Sequence, residues 1–190
     1  MTKFPFKQAV AVAVLAGASA GAYAQTAPVH LGTVSTSVPT TFTSIVEPTT
    51  TGFSDLWTFD VQQPNFGGGA TVVDIPLSFS GFSFDTVLAT MSLVSAGADG
   101  AIGGGDDTVL QSVVLPSPGN SDNMLTLNWD TSLSGPHYLN VTGVTGGSEG
   151  GIYTGAIAAA IPEPETYAML LAGLGLMGAV VRRRGTRKTS

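Results

Sequence analysis

Apolar and polar side chains alternate along several short segments of the chain. The clearest is Phe53–Val61, whose odd-numbered positions carry three aromatic side chains. A period of two predicts a strand with this aromatic face towards the core. Asp55 falls on the same face. We therefore expect it either near the strand end, where it would accept backbone N–H bonds, or at a β-bulge.

Other segments alternate more weakly and are separated by Gly, Pro, Asn and Ser about every ten positions, which is typical of strands joined by turns. The first is an edge-like strand in 29–38, followed by a loop around Pro39 and Pro48. Pro76 interrupts another, which favours an edge strand or a bend. The remaining predicted strands are 70–80, 82–94 (with Val87, Ala89, Met91 and Leu93 on one face), 108–115, 124–131 (Leu125, Leu127 and Trp129 inward), 137–145 (Leu139 and Val141 inward) and 152–161.

This pattern predicts an all-β fold. About eight strands without a strong internal helix pattern favour an antiparallel β-sandwich or jelly roll. We place this body at residues 25–161, between two terminal segments of different character.

Residues 1–24 have the three parts of a secretory signal peptide. Lys3 and Lys7 precede an apolar run at 9–17, and Ala22 and Ala24 provide small residues before a cleavage site between Ala24 and Gln25. Such a segment directs a chain to the Sec translocon and is then removed. The body is therefore expected outside the cytoplasm.

The C-terminal segment, 162–190, consists of three parts that differ in composition. Pro162, Glu163 and Pro164 favour an extended, exposed segment because proline disfavours helix at and before its position. The uncharged run 167–181 would span about 22 Å as a helix, shorter than the ~30 Å hydrocarbon core. We predict a short transmembrane helix, held by a basic tail, 182–190, on the cytoplasmic side. The alternative is a buried C-terminal helix of the body.

The membrane-stop residues of this tail are Arg182, Arg183 and Arg184. Together with the Pro162-Glu163-Pro164 motif and the apolar run, they resemble the PEP-CTERM sorting domain of Gram-negative bacteria. This resemblance implies recognition by a membrane enzyme called exosortase and cleavage near the Pro-Glu-Pro motif. It further implies export to the cell surface or the extracellular matrix of a biofilm, often with the gene beside exopolysaccharide genes. The chain would pass through the inner membrane as an intermediate.

The start of the aromatic strand, Phe53-Ser54-Asp55, is also similar to a group of small PEP-CTERM proteins named for an F-x-D-x-A motif. Here Trp57 stands where that motif has alanine.

Charge is strongly segregated along the 190 residues. No Lys or Arg occurs between Gln8 and Val181, whereas all 13 Asp and Glu residues lie between Glu47 and Glu165. An acidic body repels nucleic acid and anionic lipid, so we expect no nucleic-acid partner. The chain has no cysteine, which excludes disulfides and thiolate chemistry.

Few residues suggest chemistry. Asp99, Asp106 and Asp107 flank a glycine run and are weak candidates for a calcium loop. Their spacing fits neither an EF-hand nor a repeated glycine-aspartate nonapeptide, and a flexible polar loop is the preferred interpretation. We expect no cofactor. The only histidines, His30 and His137, would need a neighbouring Ser and Asp to form a triad, and no G-x-S-x-G motif is present. We therefore expect no enzymatic activity.

Two functions remain open for the body. The first is a structural or adhesive role at the cell surface. The second is a carbohydrate-binding module, possible if Trp57 and Trp129 are exposed on one face. Both lie on apolar strand faces, which favours a core position.

Overall fold

The computed structural model describes residues 24–25, 27–48, 52–161 and 169–177. Strands make up 56% of it and helix 6%, which confirms the all-β prediction. The described part has twelve strands where about eight were predicted. They are β1 (Ala24–Gln25), β2 (Val29–Val34), β3 (Thr40–Val46), β4 (Phe53–Val61), β5 (Gly68–Asp74), β6 (Leu77–Phe79), β7 (Phe82–Phe84), β8 (Thr86–Ser95), β9 (Thr108–Val114), β10 (Met124–Trp129), β11 (His137–Thr145) and β12 (Gly151–Ala159). One helix, α1, covers 169–177.

The strands form two larger sheets and one hairpin. The first sheet has the order β1-β4-β11-β8-β9, with β2 also paired to β4, and the second has the order β10-β5-β12-β3. Strands β6 and β7 pair only with each other. Most pairs are antiparallel as predicted, but β1 and β2 run parallel to β4. A parallel pair joins segments that are distant along the chain, so local turn signals do not indicate it.

Both larger sheets bury their apolar faces in one shared core. The predicted inward faces of β4, β10 and β11 are confirmed by burial. The core residues include Phe42, Phe53, Trp57, Phe59, Val72, Met91, Leu93, Leu125, Leu127, Trp129, Leu139, Val141, Tyr153 and Ile157. Burying side chains of this size contributes about 1.5–3 kcal/mol each. The sandwich or jelly-roll arrangement itself stays a prediction.

Asp55 is buried in the core as the third residue of β4, near the start of the strand, and does not lie at a β-bulge. The register of β4 against β11 is regular through the Asp55–Val141 pair, so no bulge occurs there. Its carboxylate accepts hydrogen bonds from the hydroxyls of Ser44 at 2.7 Å and Tyr153 at 2.6 Å, both on the opposite sheet. Side-chain hydroxyls thus satisfy this buried charge, which a one-strand pattern does not reveal.

The segment expected to be a loop around Pro39 and Pro48 contains strand β3. Phe42, Ser44 and Val46 face the core while Thr43 and Ile45 are exposed, so the alternation is real but carries few apolar residues. β3 lies at one edge of the second sheet and pairs only with β12, which explains its polar outer face.

The predicted alternation, with Val87, Ala89, Met91 and Leu93 on one face, is wrong at the start of β8. Leu88 is buried together with Met91 and Leu93, whereas Ala89 is exposed. The register against β11 shifts between Thr142 and Gly143, a β-bulge that inserts one residue into β8. The extra residue moves the side chains before it to the other face.

Candidate sorting segment and binding surfaces

The chain leaves the folded body at a fixed point. Strand β12 lies between β3 and β5, and its last residue is Ala159. The next residue, Ala160, donates its N–H to the Gly67 carbonyl and accepts from the Phe66 N–H, both at 2.9 Å. Ile161 is already half-exposed. The backbone hydrogen bonds of the β fold therefore extend to Ala160.

Helix α1 does not pack its apolar side chains into the body. Its six large hydrophobic residues are each at least 61% exposed, so the alternative of a buried C-terminal helix is wrong for 169–177. These residues are Met169, Leu170, Leu171, Leu174, Leu176 and Met177. A helix apolar on all sides is unstable in water and marks an interaction surface.

Comparison with protein families identifies this part of the chain. Residues 160–184 match the family model for the PEP-CTERM protein-sorting motif. The chain carries a PEP-CTERM sorting motif. The matched segment begins at Ala160, the residue whose backbone still bonds to Gly67 and Phe66. It marks an exported protein that an exosortase processes and that reaches the cell envelope or surface. No curated protein matches the chain.

Several predicted residues of the sorting and signal segments fall outside the described ranges. These are Pro162, Glu163, Pro164, Arg182, Arg183, Arg184 and Ala22. Ala24 lies in β1, where its backbone pairs with Phe53. Among the helical residues that the structure describes, none forms a helix with the length and apolar character needed to cross a membrane.

The loop with Asp99, Asp106 and Asp107 is held by its own backbone. Asp106 accepts the Ala98 N–H at 2.7 Å, and Asp99 accepts the Ala101 N–H at 2.9 Å. Hydrogen bonding, chiefly from Ala98, lowers the pKa of Asp106. The carboxylates thus fix the glycine turns in the manner typical of Asp in loops.

Asp107 also closes this loop against the body. Its Oδ2 accepts the Gly103 N–H at 2.7 Å and the Tyr138 hydroxyl at 2.8 Å. Within the described ranges, no group of three or more His, Asp or Glu side chains is arranged to hold a metal ion.

Both tryptophans are core residues. Trp57 is 6% exposed and Trp129 is 5% exposed. Trp57 packs on Phe42 with ring centroids 4.5 Å apart and donates its indole N–H to the Tyr153 hydroxyl. Neither indole can stack on a sugar without unfolding of the body.

The two histidines line the same cavity, although they are distant along the chain. His30 pairs with Thr58 across β2 and β4, and His137 pairs with Phe59 across β11 and β4. The cavity, of about 460 Å³, also includes Asp60 and Tyr138 in its lining. The sequence does not indicate that the two histidines share a cavity, because this depends on the parallel pairing of β2 with β4.

His137 is a buried ring whose surroundings favour the neutral form. Burial is the main cause that lowers its pKa. Its Nδ1 lies 2.8 Å from the Gly135 carbonyl, which fixes Nδ1 as the protonated nitrogen, and the ring stacks on Phe59. These contacts give His137 a packing role.

Strands β6 and β7 present an exposed aromatic surface that the sequence analysis did not identify. Phe79 and Phe82 face each other in the register, and Leu77 faces Phe84, so all four share one side of the hairpin. Phe79 is 58% and Phe82 50% exposed. The Phe79 ring lies 6.2 Å from that of Phe82 and 6.4 Å from that of Phe84. We call these four residues the aromatic hairpin.

The aromatic hairpin closes in a tight two-residue turn. Ser80 and Gly81 both have positive φ angles, of 48° and 87°, as a type I′ turn requires. Pro76 ends the pairing on one side. The Ser80-Gly81 dipeptide between Phe79 and Phe82 was the signal available in the sequence.

Proposed function

We propose that the protein is an exported cell-surface or extracellular-matrix component with a structural or adhesive role. An exosortase would cleave it at the Pro162-Glu163-Pro164 motif. In this proposal the apolar run 167–181 and the arginines at 182–184 hold the precursor in the inner membrane after Sec-dependent export. The observation that carries the proposal is the abrupt change at residue 160, where a hydrogen-bonded β fold gives way to an apolar helix that the body does not cover.

The architecture supports removal of the segment without damage to the body. The described residues of α1 leave their apolar side chains exposed, so their loss takes little from the core. The backbone bonds of Ala160 lie before the motif and would remain in the processed protein. Extended, exposed segments are the sites that processing enzymes cleave most easily.

Cell fractionation tests this sorting role. We expect Glu163→Ala to retain the chain in the membrane fraction, whereas Glu149→Ala, a matched change in an exposed turn of the body, should leave export unchanged. Equal export of the two variants would contradict a sorting function of the motif.

We propose further that the body has no catalytic activity. The support is the packing role of His137 and the backbone bonds that occupy the loop carboxylates. A structural or adhesive domain needs stability and surface contacts only.

The second candidate function is carbohydrate binding through the aromatic hairpin in place of the tryptophans. Three phenylalanine rings lie side by side on a hairpin. Its two strands pair only with each other and with neither larger sheet. Exposed aromatic groups on a surface with few cations suit the apolar faces of sugar rings in exopolysaccharide.

Sedimentation with exopolysaccharide purified from the producing cells tests this candidate. We expect Phe79→Ala with Phe82→Ala to weaken binding about tenfold, since each aromatic contact contributes about 0.5–1.5 kcal/mol. The control is Val109→Ala with Val114→Ala, which truncates two equally exposed apolar residues on β9. Equal binding by both double variants would rule out the aromatic hairpin.

A further inference from the structure

A buried carboxyl group with one unpaired oxygen lies where the two larger sheets meet. Asp74, the last residue of β5, is 5% exposed. Its Oδ1 accepts the backbone N–H of Thr86, the first residue of β8, at 2.8 Å. Its Oδ2 is buried and has no hydrogen-bond partner. A buried charged oxygen without a partner is costly, so this atom calls for an explanation.

A second unpaired oxygen lies beside it. The Thr86 side chain is 1% exposed, and its Oγ1 also lacks a hydrogen-bond partner. The hydroxyl is close enough to the Asp74 carboxyl group to influence its pKa, yet the two do not meet hydrogen-bond geometry. Asp74 Oδ2 and Thr86 Oγ1 are therefore two neighbouring buried oxygens that form no hydrogen bond with each other.

A second carboxylate completes the cluster. Burial raises the pKa of Asp74, and the nearby Asp85 carboxylate raises it further against the opposing effect of the Thr86 N–H. Asp85 is only half-buried, so water reaches the site from its side. Two neighbouring carboxylates repel each other unless a proton or a cation lies between them.

The body has no side chain that could neutralise this pair as a permanent cation. No Lys or Arg occurs between Gln8 and Val181. Both histidines line the separate cavity beside Thr58 and Phe59. The compensating group, a proton or a cation, would therefore come from solution.

Glycines leave room around the cluster. A Cβ atom at Gly146 would overlap Asp85 Oδ2, and one at Gly151 would overlap Thr86 Oγ1. The two oxygens thus approach the backbone more closely than any side chain would permit. Close backbone approach is one of the main uses of glycine.

We propose that Asp74, Asp85 and Thr86 bind a calcium ion at the base of the aromatic hairpin. All the donors are oxygens, which calcium prefers, and water entering beside Asp85 would complete the coordination. Magnesium fits less well because it demands near-ideal octahedral geometry. The site is separate from the Asp99, Asp106 and Asp107 loop, where Asp99 and Asp106 are exposed.

The ion would also fix the position of the hairpin. Asp85 follows β7 directly, its N–H donates to the Gly150 carbonyl at 3.0 Å, and its carbonyl accepts the Gly146 N–H at 2.9 Å. A cation held by its side chain therefore ties β7 to β5 and to the turn that precedes β12.

Thermal unfolding of the full-length chain in mild detergent tests the proposal. We expect 10 mM CaCl₂ to raise Tm by about 3–6 °C over EDTA, because extracellular calcium sites bind at about 10⁻⁴–10⁻³ M. Asp74→Asn should abolish this rise. In EDTA it should be at least as stable as the wild type, since the amide removes a buried charge and its oxygen still accepts the Thr86 N–H. Thr86→Val should reduce the rise.

The matched control is Asp106→Asn, which changes a carboxylate of the other loop and should keep the full rise. The proposal is overturned if the wild type shows no rise, if Asp74→Asn keeps it, or if Asp106→Asn loses it. An equal rise with MgCl₂ would overturn the assignment to calcium.

Discussion

At the scale of single residues, the core is held by a polar network that crosses between the sheets. The Tyr153 hydroxyl donates to Asp55 and accepts the Trp57 indole N–H at 3.0 Å. Its ring stacks on Phe53 with centroids 5.8 Å apart. Burial, followed by the charge of Asp55, strongly raises the pKa of Tyr153. The hydroxyl therefore stays protonated and keeps its role as donor to the carboxylate.

Tyr153→Phe should lower the free energy of unfolding by about 2 kcal/mol, because it leaves a buried carboxylate and an indole N–H short of a partner. Urea unfolding followed by fluorescence measures the change. Tyr138→Phe is the matched control. Its hydroxyl donates to Asp107 near the surface, and burial raises the pKa of Tyr138 to about 12. We expect the control to lose about 1 kcal/mol or less; equal losses would refute the special role of Tyr153.

At the scale of elements, local alternation predicted the strands whose inward face is mainly apolar. β4, β10 and β11 follow this rule, and their inward residues are buried as expected. β3 was missed because most of its residues are polar and two prolines flank it. The face of β8 was misassigned because a bulge changes the period once, and nothing local in the sequence marks that position.

The bulge in β8 depends on a glycine in its partner strand. A Cβ at Gly143 would overlap the Val87 carbonyl oxygen and come within 2.9 Å of the Phe53 ring. Gly143→Ala should therefore lower the free energy of unfolding by about 2–3 kcal/mol, as overpacking does in cores. Gly105→Ala is the control, because a Cβ there meets nothing within 4 Å. Its effect in the same denaturation measurement should stay within about 0.5 kcal/mol. A neutral Gly143→Ala would contradict the described register.

At the scale of the whole molecule, the sites differ in how far the sequence reveals them. The sorting motif is contiguous, so its order of proline, apolar run and arginines was readable directly, and the family match at 160–184 confirms it. The Asp74, Asp85 and Thr86 cluster could not be predicted from the sequence. Its members come together only when β5 of one sheet contacts the start of β8 in the other. The aromatic hairpin is an intermediate case. The local sequence indicates its Ser80-Gly81 turn, but it does not indicate that the phenylalanine side chains are exposed.

The central claim is that a complete β body ends at residue 160 and that a removable sorting segment follows it. Intact mass spectrometry of the protein exported by its own cells tests this claim most directly. We predict a mass that lacks helix α1 and the basic tail when the exosortase is present, and a retained C-terminus when the exosortase gene is deleted. An exported protein that keeps residues 169–190 in cells with an active exosortase would contradict the account.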